Sequence, residues 1–182
     1  MAALLAASPV AALCADGTDS FIKLRDERKR HPRICAISFP GDTRWREAYD
    51  DIYGHGAMLE NPYAGFRIYM NESQAIDLYL KNRPGLELEQ TSFYSDAAAV
   101  AKGMGCDVLR VGKSVGAGSF RGFRHGKAFG IDTVSERTMR VPDNSTVELI
   151  DRGGVYGDHT VDMEQTYTVS ASTPALSVRV RL

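Results

Sequence analysis

The chain has 182 residues, 43 % of them apolar, which is long enough for one domain with a real core. Its 22 basic and 23 acidic residues leave a net charge of −1, so no whole-molecule field steers it onto nucleic acid or an anionic membrane, and a charged ligand must be held locally. Three cysteines, Cys14, Cys35 and Cys106, stand far apart without Cys-x-x-Cys spacing; this supports neither a structural zinc site nor a disulfide framework and reads as buried thiols.

Residues 1–18 are an apolar, small-residue leader or disordered start whose first charge is Asp16. The stretch approaches the apolar region of an export signal in length but lacks its basic start, and it is shorter than the roughly 20 residues that span a bilayer. An export signal there implies a periplasmic or extracellular protein with no membrane span. The fold is expected over residues 19–182.

From there the apolar pattern has period two, the mark of half-buried strands. Strands are predicted at 34–39, 65–70, 75–81, 108–111, 118–123, 128–131 and 146–151, with turn residues at His125-Gly126, Asp143-Asn144 and Gly153-Gly154. Over 160–169 the odd positions Val161, Met163, Gln165, Tyr167 and Val169 form one face, and Thr and acidic residues form the other. Residues 176–182 repeat the alternation. Helix is expected only at 95–103, with Ser95 as cap, an alanine body, Lys102 in the last turn and Gly103 beyond, and in a second short piece at 46–52. Many short strands joined by turns predict an all-β antiparallel sandwich. A strand at 176–182 would expose unpaired backbone unless a further strand, a covering segment or another subunit meets it, so the sandwich reads as incomplete, or as self-associating through that strand.

The stretch with most chemistry is 53–81. Placing Phe66, Ile68 and Met70 on the face of Leu80, Leu78 and Ile76 requires an odd loop, taken as Glu72, Ser73 and Gln74; Arg67 then lies opposite Tyr79, and Tyr69 opposite Asp77, with Lys81 at the margin. Such a face suits a polyhydroxylated, carboxylated ligand. Arg67 and Lys81 are the candidate carboxylate contacts, with Tyr69 and Tyr79 as rings for a sugar and Asp77 as a further binding residue. The competing reading is an ordinary solvated face. His55, between Gly54 and Gly56, reads as part of an irregular, closely approached loop and as a candidate acid or base, with Glu60 as partner. His159 follows Asp158 at a strand mouth and is a weaker binding candidate.

Glu60, Asp77, Asp107 and Glu164 are available as a hydrolytic carboxyl pair. Proton abstraction beside a uronic carboxylate, as in a lyase or an epimerase, needs a His, Tyr or Lys base and a cation to quieten the carboxylate charge, and His55, Tyr69 and Arg67 fit that better. No close-spaced metal motif occurs, and no cofactor is implied. The glycine-rich 112–118 lacks the order of a phosphate loop and reads as a bend.

Together Ser38-Phe39-Pro40-Gly41, Tyr53-Gly54-His55-Gly56 with Glu60, Ala64 to Tyr69, Ile76 to Tyr79, Gly105 to Leu109 and Gly116 to Phe120 resemble the bacterial domain-of-unknown-function family 4861 over about 21–182. The resemblance implies a galactose-mutarotase-like β super-sandwich, in secreted or periplasmic proteins of polysaccharide-degrading bacteria. It further implies histidines paired with a carboxylate as the chemical groups, which only His55, His159 and Glu60 or Asp77 match here. Two functions follow as expectations: a lyase, glycoside hydrolase or epimerase acting on acidic oligosaccharides or polysaccharides, or a non-catalytic sugar-binding module.

Overall fold

The computed structural model describes residues 17–26, 28, 30–41, 50–90, 93–109, 116–131 and 133–182. Outside them lie most of the apolar start with Cys14, residues 46–49 of the expected second helix, and 110–115, which hold the end of one expected strand and most of the glycine-rich bend.

The expected all-β class holds. One antiparallel sheet has the order β2 (Arg33–Ile34), β1 (Asp19–Lys23), β4 (Gly56–Glu60), β5 (Ala64–Tyr69), β6 (Ile76–Leu80), β7 (Cys106–Asp107). The second runs β13 (Thr173–Arg181), β12 (His159–Ser170), β11 (Thr146–Tyr156), β10 (Glu136–Asp143), β3 (Ala36–Pro40). A hairpin of β8 (Gly122–Arg124) and β9 (Lys127–Phe129) stands apart. The two large sheets face each other across one core, to which Ile22, Leu59, Phe66 and Ile68 come from the first sheet and Phe39, Met139, Leu149 and Tyr167 from the second. Burying each such side chain contributes about 1.5–3 kcal/mol. The face foreseen for β12 is the inner one: Met163, Gln165, Tyr167 and Val169 are all buried.

Three local expectations are corrected. Residues 56–60, for which no strand is predicted, are β4, an inner strand of its sheet and buried at every position. Glycine is needed at 56 because a Cβ there would lie 2.0 Å from the Ile68 carbonyl oxygen, so its presence reflects strand contact and not irregularity. Helix α1 (Ala97–Ala101) starts one residue later than expected, with Asp96 as its cap accepting from the Ala99 N–H. The β5–β6 pairing joins Arg67 to Asp77 and Gly65 to Tyr79. The loop has the expected odd parity, so the faces are as read, but it begins at Asn71, whose side-chain oxygen accepts from both the N–H and the hydroxyl of Ser73. That local turn shifts every cross-strand partner by two residues.

Unforeseen, an ion pair lies inside the sandwich. The Arg137 and Asp151 side chains are fully buried, and Arg137 also donates to the carbonyls of Asn71 and Ile131 while Gln74 donates to Asp151. Every charge there is met, as a buried pair requires.

Candidate functional site

The outer face of the six-stranded sheet carries Phe21, Met58, Glu60, Gly65, Arg67, Tyr69, Asp77 and Tyr79, by strand alternation. Part of it is covered. Leu88 and Phe93, from the segment after β6, pack on Phe21, Met58 and Tyr79 as a second apolar cluster.

Two charged pairs hold that cover down. Lys81 and Glu60 have 1 % and 0 % of their side chains exposed. Lys81 Nζ donates to Glu60 Oε2 at 2.5 Å and to the carbonyls of Asn61 and Gly85, and Glu60 accepts the N–H groups of Glu87 and Leu88. Burial pushes the Glu60 carboxyl above the usual range, opposed by Lys81 and by those two N–H groups. All three ammonium donors are consumed inside the protein, so neither group of this pair reaches a ligand. At the other end Glu89 accepts from Lys23 and Arg33, and Arg33 also bonds Asp19 with both terminal nitrogens while lying over the Phe21 ring. Tyr79 is turned inward as well, donating to Glu87 Oε2 at 2.8 Å, and burial pushes its phenol up.

Arg67, Tyr69 and Asp77 form one cluster with Tyr94, a residue the sequence reading did not single out. Arg67 is only 4 % exposed. Its Nε donates to Asp77 Oδ2 at 3.0 Å, and its Nη2 donates to Tyr94 Oη at 2.6 Å, to Tyr69 Oη and to Asp77. Its guanidinium carbon lies 4.6, 4.7 and 4.9 Å from the ring centres of Tyr69, Phe93 and Tyr94. Burial alone would lower the Arg67 pKa, but Asp77 and the two phenols raise it, so the charge is fixed. Burial pushes the Tyr69 phenol up, and its hydroxyl donates to Asp77 Oδ2 at 2.7 Å.

Two features of the cluster face outward. Tyr94 is 62 % exposed although its hydroxyl is anchored on Arg67 and its ring meets the edge of Phe93. Asp77 Oδ1 accepts no hydrogen bond among the described residues. An anchored, exposed ring beside an open carboxylate oxygen can stack on an apolar ligand face and accept a hydroxyl. The signal for Tyr94 was present in the sequence as a Phe93-Tyr94 pair in a polar stretch with no strand alternation.

His55 and His159 lie apart from one another. His55 ends a single 3-10 turn, Tyr53–His55, with φ of 65°, and precedes Gly56, the cross-strand partner of Tyr69. It is therefore at the margin of the cluster. His159 opens β12 of the other sheet next to the β11–β12 turn, its side chain 73 % exposed and 3.3 Å from Asp158, which Arg124 of the small hairpin also contacts. The structure does not bring it to Arg67. Among the described residues no set of His, Cys, Asp and Glu is grouped for a metal, and no helix is long and apolar enough to cross a membrane.

A family model described as "Domain of unknown function (DUF4861)" matches residues 20–182. No curated protein and no solved structure matches the chain.

Proposed function

The chain belongs to the family described as a domain of unknown function (DUF4861), and within it we propose that the outer face of the six-stranded sheet binds acidic oligosaccharides. The observation that carries this reading is the exposed Tyr94 ring, pinned by Arg67 and Phe93. A ring whose hydroxyl is already anchored loses little side-chain entropy when a sugar stacks on it. Asp77 Oδ1 accepts a sugar hydroxyl beside that ring, and Arg67 and Tyr69 fix the carboxylate rather than touch the ligand. Glu60, Lys81 and Tyr79 support the cover.

The test is calorimetric titration with oligogalacturonate. Tyr94→Ala should weaken binding by tenfold or more, as stacking contacts are worth about 1–3 kcal/mol elsewhere, with the melting temperature little changed. Unchanged affinity in Tyr94→Ala would overturn the site.

A second reading, proton transfer, rests on His55. A non-glycine residue in the left-handed region costs energy and recurs at active sites. Under that reading His55 takes the proton beside a uronic carboxylate. Product analysis decides it: His55→Gln should retain binding and lose turnover, and wild-type protein that binds without forming product removes this reading and leaves the binding module.

A further inference from the structure

The sequence assigned the ligand carboxylate to Arg67 and Lys81, and the structure neutralises both internally. If the bound saccharide is acidic, its charge must be met by other cations. Arg83 and Lys102 line one open cavity of about 650 Å³ together with Gln90, Asp96 and Met104. Among the described residues neither cation has an ion-pair or hydrogen-bond partner for its side chain.

The walls of this cavity are fixed. Arg83 follows Lys81, which is buried and bonded to Gly85 across it. Lys102 closes helix α1, its N–H bonded to the carbonyls of Ala98 and Ala99. Asn82 Nδ2 donates to the Met104 carbonyl at 2.8 Å and ties the two walls together. The Arg83 guanidinium carbon lies 3.9 Å from the place a Cβ would take on Gly103, whose φ of 81° suits glycine, so the helix end leaves room for it. Asp96 supplies one negative charge, but its Oδ1 is already held by the Ala99 N–H. Two cations against one engaged carboxylate leave the cavity net positive. Asp96, in its lining, stands two residues along the chain from Tyr94.

We propose that this groove is the anion subsite of the saccharide site: Arg83 and Lys102 receive the carboxylate of a uronic acid unit whose neighbour stacks on Tyr94. The guanidinium offers a planar pair of donors for a carboxylate, and the ammonium adds a point charge. The inference rests on the saccharide reading above.

The test compares oligogalacturonate with its fully methyl-esterified form, which keeps shape and removes charge, on the full chain. Wild type should prefer the acid, and the preference should shrink as salt rises. Arg83→Gln with Lys102→Gln should weaken the acid about tenfold and leave the ester unchanged; both side chains are exposed, so the melting temperature should hold. An unchanged acid-to-ester ratio in this double variant, while Tyr94→Ala weakens both sugars, overturns the groove and leaves the stacking site standing. Loss of the ratio with no effect of Tyr94→Ala does the reverse. Inorganic phosphate binding as tightly as the acid, or wild type binding neither sugar, overturns the groove as a saccharide subsite.

Discussion

Single residues on this sheet face divide by whether their charge is already met. Lys81 and Glu60 are one closed unit, so Lys81→Met strands a buried carboxylate and should cost about 3–5 kcal/mol in urea unfolding; adding Glu60→Gln, which removes the stranded charge and keeps one acceptor oxygen for the Glu87 and Leu88 N–H groups, should recover part of it. Glu89 gives the pH signature. Burial pushes its carboxyl up, but Lys23 and Arg33 prevail and hold it below its ordinary value near 4.5. A carboxylate depressed on folding contributes stability that is fully present above that value and lost as pH falls through the folded value. The stability difference between wild type and Glu89→Gln should therefore be present at neutral pH and shrink as pH falls below the ordinary glutamate range through the depressed folded value, as followed by urea unfolding across pH. A difference that grows on acidification contradicts the assignment. The residue types that meet on this face were legible from alternation: Arg67, Tyr69 and Asp77 do share a cluster. What alternation does not carry is whether a charged group faces solvent or a covering segment, which is why Lys81 reads as a ligand contact in sequence and is a buried anchor in the structure.

At the scale of elements, the sheet depends on close backbone approach at β4. Gly56→Ala sets a Cβ against the Ile68 carbonyl oxygen, which belongs to a paired strand and cannot yield, whereas Gly65→Ala meets only the flexible end of Leu88. Gly56→Ala should lose about 2 kcal/mol or more and Gly65→Ala distinctly less, by chemical denaturation. Comparable losses would mean that β4 and β5 are held less tightly than the register shows. The two glycines around His55 serve different ends, Gly54 a turn with φ of 73° and Gly56 strand contact, and a sequence does not distinguish glycine used for a turn from glycine used for contact. The β5–β6 hairpin shows the same limit. Face parity followed from the apolar pattern, but register followed from the Asn71 side chain, a choice among odd loops that hydrophobicity leaves open.

For the whole molecule, two antiparallel sheets supply the core and the segment after β6 covers part of one outer face. The all-β class was legible because period two recurs in strand after strand; the interior pair Arg137–Asp151 was not, because its partners come from β10, β11 and the β5–β6 turn, far apart in sequence. Since the cover is pinned to the sheet by Lys81–Glu60 and Glu89–Arg33, its amides should exchange hydrogen earlier than those of β11 and β12 but more slowly than free loops, with Lys81→Met speeding the cover alone. We propose an acidic saccharide on this covered face, between Tyr94 and the Arg83–Lys102 groove. Backbone amide shifts recorded during titration with oligogalacturonate test this placement: perturbations should concentrate at Asp77, 93–96 and 102–104, and a saturating response confined to the β11–β12 turn and His159, or none anywhere, overturns it.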